Sequence, residues 1–198
     1  MTKQKLVGLT GGIGSGKTTI ARAFEALGIP VYNSDNRARI LSDNHPDIIN
    51  GLKRIFGDDI YIGNCLQRKR VAEIVFNDKK KLSEINHIIH PIVQNDFHAW
   101  AAAYDDYPYV LNEAAVMIEN ELHKQFNKII LVISPVVMRV GRVAKRDGLT
   151  ESAVYSRINS QMSDDEKKLF ADYIITSDDH NYIIPQILEI DKELRKQY

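Results

Sequence analysis

The residues Gly11-Gly-Ile-Gly-Ser-Gly-Lys-Thr18 follow the spacing Gly-x4-Gly-Lys-Ser/Thr, and each residue type suits the capture of phosphate. Glycines at 11, 12, 14 and 16 let the backbone, which also runs through Ile13 and Ser15, wrap so that successive N–H groups converge on anionic oxygens. A helix that opens with Lys17, Thr18 and Thr19 presents its positive end to the same anion. The Lys17 ammonium has the length to reach β- and γ-phosphates, and the Thr18 hydroxyl is a ligand type for Mg²⁺. The pattern arises by chance in on the order of one chain in a hundred of this length. Here it also sits where the mechanism needs it, between a β-prone run and a helical one.

Phosphate capture does not say where the phosphate goes, and the acidic and basic residues bear on that. Asp35 follows Ile29-Pro-Val-Tyr32, a strand ending in the crevice region where α/β sheets bind ligands. A carboxylate there can take the proton of an attacking hydroxyl or cap the helix that starts at Asn36. Glu113 ends Tyr109-Val-Leu-Asn112, a place where a carboxylate holds Mg²⁺ or its water, or simply closes a strand. Glu119, a few residues on, fits structure or substrate equally. Arg139, Arg142 and Arg146 recur at i, i+3 and i+7, with Arg157 in the next helix. They read either as a solvated face or as mobile cations over a transferring phosphoryl group. His87 and His90 lack the carboxylate or thiolate company of a metal site. His90-Pro91 reads as a helix kink or as an imidazole lining a pocket.

The elements that must carry these groups are legible from periodicity. Lys5–Thr10 is a strand, and Ile20, Ala23, Phe24 and Leu27 mark a helix that Gly28 stops, so the first 32 residues spell a βαβ unit. From Ser34 to Tyr104 no strand is expected, only amphipathic helices, the longest marked by Leu82, Ile85, Ile89, Val93, Phe97 and Trp100. Strands return at Tyr109–Leu111, Lys128–Ile133 and Tyr173–Thr176, with helices over Ser134–Asp147, Thr150–Met162 and a C-terminal stretch carrying Ile183, Ile187, Ile190 and Leu194. The fold class is α/β, a parallel sheet of about five strands with a helical insertion.

Composition narrows the setting. With 26 basic and 26 acidic residues, and a pI near 7.0, sequence-independent nucleic-acid binding is not expected. Cys65 is the sole cysteine, so no internal disulfide exists and a reducing, cytoplasmic setting is expected. Nothing about Cys65 suggests activation. The apolar runs are far shorter than a membrane span, and Met1–Lys5 leads into glycines rather than an apolar core, so neither membrane insertion nor a secretory leader is expected.

Taken together the residues resemble the dephospho-coenzyme A kinase family, whose members complete coenzyme A synthesis. The resemblance rests on Leu9–Thr18, on Gly28-Ile-Pro-Val leading to Asp35 with Arg39 nearby, and on Ile89-His-Pro-Ile92. It continues through the strand ending at Glu113 with Glu119 after it, Arg142-x3-Arg146-Asp147, Arg157-Ile-x2-Gln161 and Ala171-Asp172-x-Ile-Ile175, in order and essentially end to end. It implies a nucleotide-binding core (1–35, 105–138 and 164–198), a helical domain for the coenzyme A moiety (36–104) and a short lid (139–163). It implies ATP-dependent phosphorylation of the ribose 3′-hydroxyl, with Asp35 as base and with Lys17 and Arg142 stabilising the moving phosphoryl group. ATP would lie against Gly12–Thr19, Arg142 and Arg146. Dephospho-coenzyme A would meet Asp35, Arg39, His90, Glu119, Arg157 and Gln161. Mg²⁺ would be held at Thr18 and Glu113, and the enzyme is expected to be a monomer.

Three positions depart from the family pattern. Asn33 stands where the first Asp of an Asp-x-Asp pair is usual, Ala115-Val-Met117 replaces Pro-Leu-Leu, and Ser177 replaces an Asn after the last strand. None removes a group that the chemistry needs. Two other readings of the same residues are a kinase for nucleoside monophosphates or small hydroxylated metabolites, and a nucleotide-dependent switch. The first lacks a reason for the large His-Pro-bearing insertion, and the second lacks a use for Asp35 as acceptor base.

Overall fold

The computed structural model describes residues 5–76 and 78–196; the opening Met1–Gln4, read above as no part of a leader, lies outside them. The chain divides into two compact units, one of residues 1–33 and 101–198, the other Ser34–Trp100.

The first unit is built on strands β1 (Leu6–Gly11), β2 (Val31–Asn33), β5 (Val110–Glu113), β6 (Lys128–Ile133) and β7 (Tyr173–Thr176). All pairings are parallel, in the order β2-β5-β1-β6-β7. β1 is central, and burial on both faces explains why β6 reads as a continuous apolar run. Val7, Leu9, Leu111, Ile130, Val132 and Ile175 form the core with Ile20 and Phe24 of α1 (Lys17–Ala26) and Ile187 and Leu194 of α9 (Ile183–Lys196). Tyr109 is sealed in this core with its hydroxyl donating to Asp191 Oδ1 at 2.7 Å. Arg195 closes the same carboxylate and also donates to the carbonyl of Leu27.

Register explains where the site forms. Leu9 lies beside Glu113, and Asn33 lies beside Glu113 from the other side. The carboxyl ends of β1, β2 and β5 therefore meet next to the glycine loop. On the other face, Val140 and Val143 of α6 (Val136–Asp147) and Val154 of α7 (Glu151–Asn159) enclose Ile13 of that loop.

The helix expected over Thr150–Met162 ends at Asn159, and a separate short helix, α8 (Asp164–Lys168), follows. Ser163 caps it through a reciprocal capping box with Glu166.

The second unit packs Ile48 and Leu52 of α3 (Pro46–Phe56), Val71 of α4 (Arg68–Phe76) and Ile85 of α5 (Lys79–Ala102) with Ile60 and Tyr61 from the stretch between α3 and α4. Contrary to the all-helical expectation, it contains a small antiparallel hairpin, β3 (Tyr61–Ile62) with β4 (Cys65–Leu66). Its turn, Gly63-Asn64, has Gly63 at φ +58°, the left-handed conformation a two-residue hairpin loop demands. Two-residue strands are too short for any alternation to show. α2 (Ser34–Asn44) is tied to α5 by Arg37, which grips Asp96 with two hydrogen bonds of 2.9 and 2.6 Å. α5 continues as one helix through Pro91.

Candidate active site

The loop between β1 and α1 takes a shape that glycine alone allows. Gly14 and Gly16 have φ of +77° and +97°, and a Cβ on Gly14 would stand 2.7 Å from the carbonyl oxygen of Arg139. A Cβ on Gly12 would run into the Arg139 guanidinium. The loop is thus pressed against α6, with no room for side chains at these positions. The Lys17 ammonium donates to the carbonyls of Gly11 (2.8 Å) and Gly12 (3.1 Å), so it lies along the loop it is expected to serve.

Thr18, Glu113 and Asn33 form one cluster. The buried Glu113 carboxylate accepts from Thr18 Oγ1 at 2.7 Å through Oε1 and from Asn33 Nδ2 at 2.6 Å through Oε2. Asn33, the departure from the usual Asp, is here a neutral donor that fixes one carboxylate oxygen; a second carboxylate at that distance would repel. Thr18 and Glu113 offer an all-oxygen donor pair, one neutral and one anionic, which fits Mg²⁺. Among the described residues no group of three or more His, Cys, Asp or Glu side chains is placed to hold a metal ion.

The arginine row does not act as one face. Arg139 is buried, donates through Nε to the carbonyl of Ile13 (3.0 Å) and pairs through Nη1 with Asp164 (3.2 Å). Arg142 is exposed, and its Nη1 lies 3.1 Å from Ser134 Oγ, 3.3 Å from Ser177 Oγ and 3.4 Å from the Gly14 carbonyl. Ser177, the third departure, is therefore a contact of Arg142. Arg146 makes two bonds to Asp147, which hold its guanidinium charged and draw the Asp147 carboxyl below its ordinary range. Arg157 approaches the same carboxylate at 3.7 Å.

Two expected substrate residues have partners within the first unit. Gln161 Oε1 accepts from the Ile13 N–H at 2.8 Å, so it shapes the phosphate loop. Glu119 Oε1 lies 2.8 Å from the ammonium of the fully buried Lys167 and accepts from the Met162 N–H at 3.3 Å, holding the start of α8. The sequence offers Arg139 only as one of the arginine row, either solvated or mobile over phosphate, and gives Asp164, Lys167 and Ser134 no site role; the fold buries Arg139 instead. Only the Ser163-x-x-Glu166 capping pattern gave a readable sign that α8 begins there.

Asp35, Arg39 and His90 belong to the second unit. Asp35 is exposed in the first turn of α2, where a carboxylate is favoured by the helix dipole, and Arg39 follows one turn later. Chain connectivity sets Asp35 two residues beyond the Asn33 that binds Glu113. Burial lowers the His90 pKa, and the neighbouring His87 lowers it further, so the imidazole is neutral at pH 7. A neutral imidazole donates one hydrogen bond and accepts one, which suits a polar neutral partner.

Known proteins are similar to this chain over most of its length. A family model described as dephospho-CoA kinase matches residues 5–182. The dephospho-CoA kinase of Bacteroides fragilis is 35% identical over 184 residues, 93% of this chain and 90% of that protein. That of Porphyromonas gingivalis is 33% identical over 190 residues, 96% and 94% of the two chains. A crystal structure from Thermus thermophilus, 27% identical, superposes with a TM-score of 0.84 over 98% of this chain and 97% of that one. The dephospho-CoA kinase of Campylobacter jejuni shares the fold, with a TM-score of 0.70 at 23% identity and coverage of 97% and 98%. The family match takes in the glycine loop, Glu113, the arginine helix and Gln161 together, and the chain belongs to the dephospho-CoA kinase family.

Proposed function

We propose that this kinase moves the γ-phosphoryl group of ATP to the ribose 3′-hydroxyl of dephospho-coenzyme A, with Asp35 as the acceptor's base. The bond between the 3′-oxygen and γ-phosphorus forms as that between γ-phosphorus and the β–γ bridging oxygen breaks. The hydroxyl proton goes to Asp35, and ADP leaves. The observation that carries the reading is the Thr18–Glu113–Asn33 cluster beside a glycine loop with no room for side chains, the form that suits a phosphate-binding backbone.

In this reading the loop N–H groups and the α1 N-terminus hold the phosphates, while Lys17 and Arg142 meet charge developing on the transferred group. Thr18 and Glu113 would hold Mg²⁺, which neutralises phosphate charge when bound. Arg146 serves ATP, and Arg39, His90, Glu119, Arg157 and Gln161 act on the acceptor side or on the elements that frame it. Residues 139–163 serve as a lid that excludes water, since an open site would hydrolyse ATP. The single cysteine supports work in the cytoplasm.

The test is ADP release with Mg·ATP and each of dephospho-coenzyme A, AMP and shikimate. Release that depends on dephospho-coenzyme A, at a rate well above the other two, supports the assignment. Faster turnover of AMP or shikimate would overturn it.

A further inference from the structure

Both polar groups of Ile13 are gripped by side chains from elsewhere in the fold. Its N–H donates to Gln161 Oε1 at 2.8 Å, and its carbonyl accepts from Arg139 Nε at 3.0 Å. Its own side chain packs on the Val140–Val143–Val154 cluster. Ile13 is thereby fixed on three sides, one residue before the glycine whose φ of +77° turns the chain.

We propose that Arg139, braced by Asp164, is a positioning residue for nucleotide binding, acting through the Ile13 peptide to set the phosphate loop. The inference rests on the reading of that loop as the ATP site. A buried guanidinium is expensive unless its hydrogen bonds are satisfied. Here one face of the fork serves the loop and the other serves Asp164, leaving the planar group no freedom to rotate. Gly12 completes the fit, because its missing Cβ is where the guanidinium lies. The following N–H groups, from Gly14 to Lys17, inherit the orientation fixed at Ile13. Asp164 pairs with the Nη1 of Arg139 while Arg139 Nε holds the loop, so in this proposal its influence on nucleotide runs through Arg139.

The experiment measures ATP affinity with Mg²⁺ and dephospho-coenzyme A affinity separately, by calorimetry, in the full chain. Arg139→Met is expected to weaken ATP about tenfold or more, the loss typical of a charged hydrogen bond, with dephospho-coenzyme A within about twofold of the parent. Arg139→Lys is expected to be intermediate, since one ammonium cannot serve both Ile13 and Asp164. Asp164→Asn should weaken ATP modestly in the parent and add nothing in the Arg139→Met chain. A folded Arg139→Met chain with parental ATP affinity, or with equal losses of both ligands, overturns the proposal. If that chain does not fold, an unshifted ATP affinity in Arg139→Lys overturns it. A parent chain that does not bind ATP defeats the reading of the loop itself.

Discussion

The Thr18 hydroxyl donates to Glu113 Oε1 at 2.7 Å, joining the first turn of α1 to the end of β5. The register that sets Glu113 beside Asn33 also supplies the second grip on the carboxylate. A strand-end Glu with one oxygen held by a neutral amide and the other facing a hydroxyl suits the Mg²⁺ role proposed for it. Replacing it with Gln keeps the size and removes the charge. Glu113→Gln is expected to weaken ATP binding about 10- to 100-fold in the presence of Mg²⁺, and to leave Mg²⁺-free ATP binding nearly unchanged. Calorimetric titrations with and without the metal separate the two.

Arg142 reaches the loop at the Gly14 carbonyl while held by Ser134 and Ser177. Such a placement suits charge that appears only during transfer. Arg142→Ala is expected to lower kcat by about 10³ while changing ATP affinity far less. A loss confined to KM for ATP would make Arg142 a ground-state contact.

Lys167 is fully buried and meets Glu119 at 2.8 Å. Removing the carboxylate strands an ammonium in the interior. Glu119→Ala is expected to destabilise the first unit by about 3 kcal/mol, read from urea unfolding, with Lys167→Met in the same background recovering part of it. No change in the denaturation midpoint would show that the pair contributes nothing to stability.

In the second unit the Tyr61 hydroxyl donates to the Ser42 carbonyl at 2.8 Å. Burial raises its pKa to about 12, the nearby Asp43 charge adds to the rise, and Arg68 opposes it. A pKa raised in the folded state gives stability that is complete below the unfolded value of 10.0 and is lost as pH climbs toward about 12. Tyr61→Phe should cost about 1 kcal/mol at neutral pH and flatten the decline over that alkaline window. Thermal melts across pH 8.5 to 12 on parent and variant provide the check.

The parallel sheet and the glycine loop were legible because their signals are local: an apolar run in β6, and a contiguous pattern from Gly11 to Thr18. Thr18 and Glu113 could be nominated together because each carried its own strand-end or helix-start context. Arg139 was legible only as part of its row. At i, i+3, i+7 with Arg142 and Arg146 it reads either as a solvated face or as a mobile cation over phosphate, whereas the partners that bury it, Ile13 and Asp164, are 126 and 25 residues away. Lys167 lies inside Asp-Asp-Glu-Lys-Lys, a run that reads as surface, yet it is sealed against Glu119. Gln161 was nominated for substrate through the family pattern, and only the fold revealed its bond to the Ile13 N–H. Long-range pairing of polar groups leaves no periodicity to read.

The central claim is transfer to the 3′-hydroxyl through Asp35, and one comparison tests it most directly. Parent and Asp35→Asn chains are incubated with Mg·ATP and dephospho-coenzyme A, and the acceptor is followed by phosphorus NMR alongside ATP affinity. The account predicts a new 3′-phosphomonoester signal from the parent, formed one for one with ADP. It predicts a rate lower by about 10²–10⁴ in Asp35→Asn with ATP affinity retained. Phosphorylation at another position, or an Asp35→Asn chain that turns over at the parent rate, would contradict it.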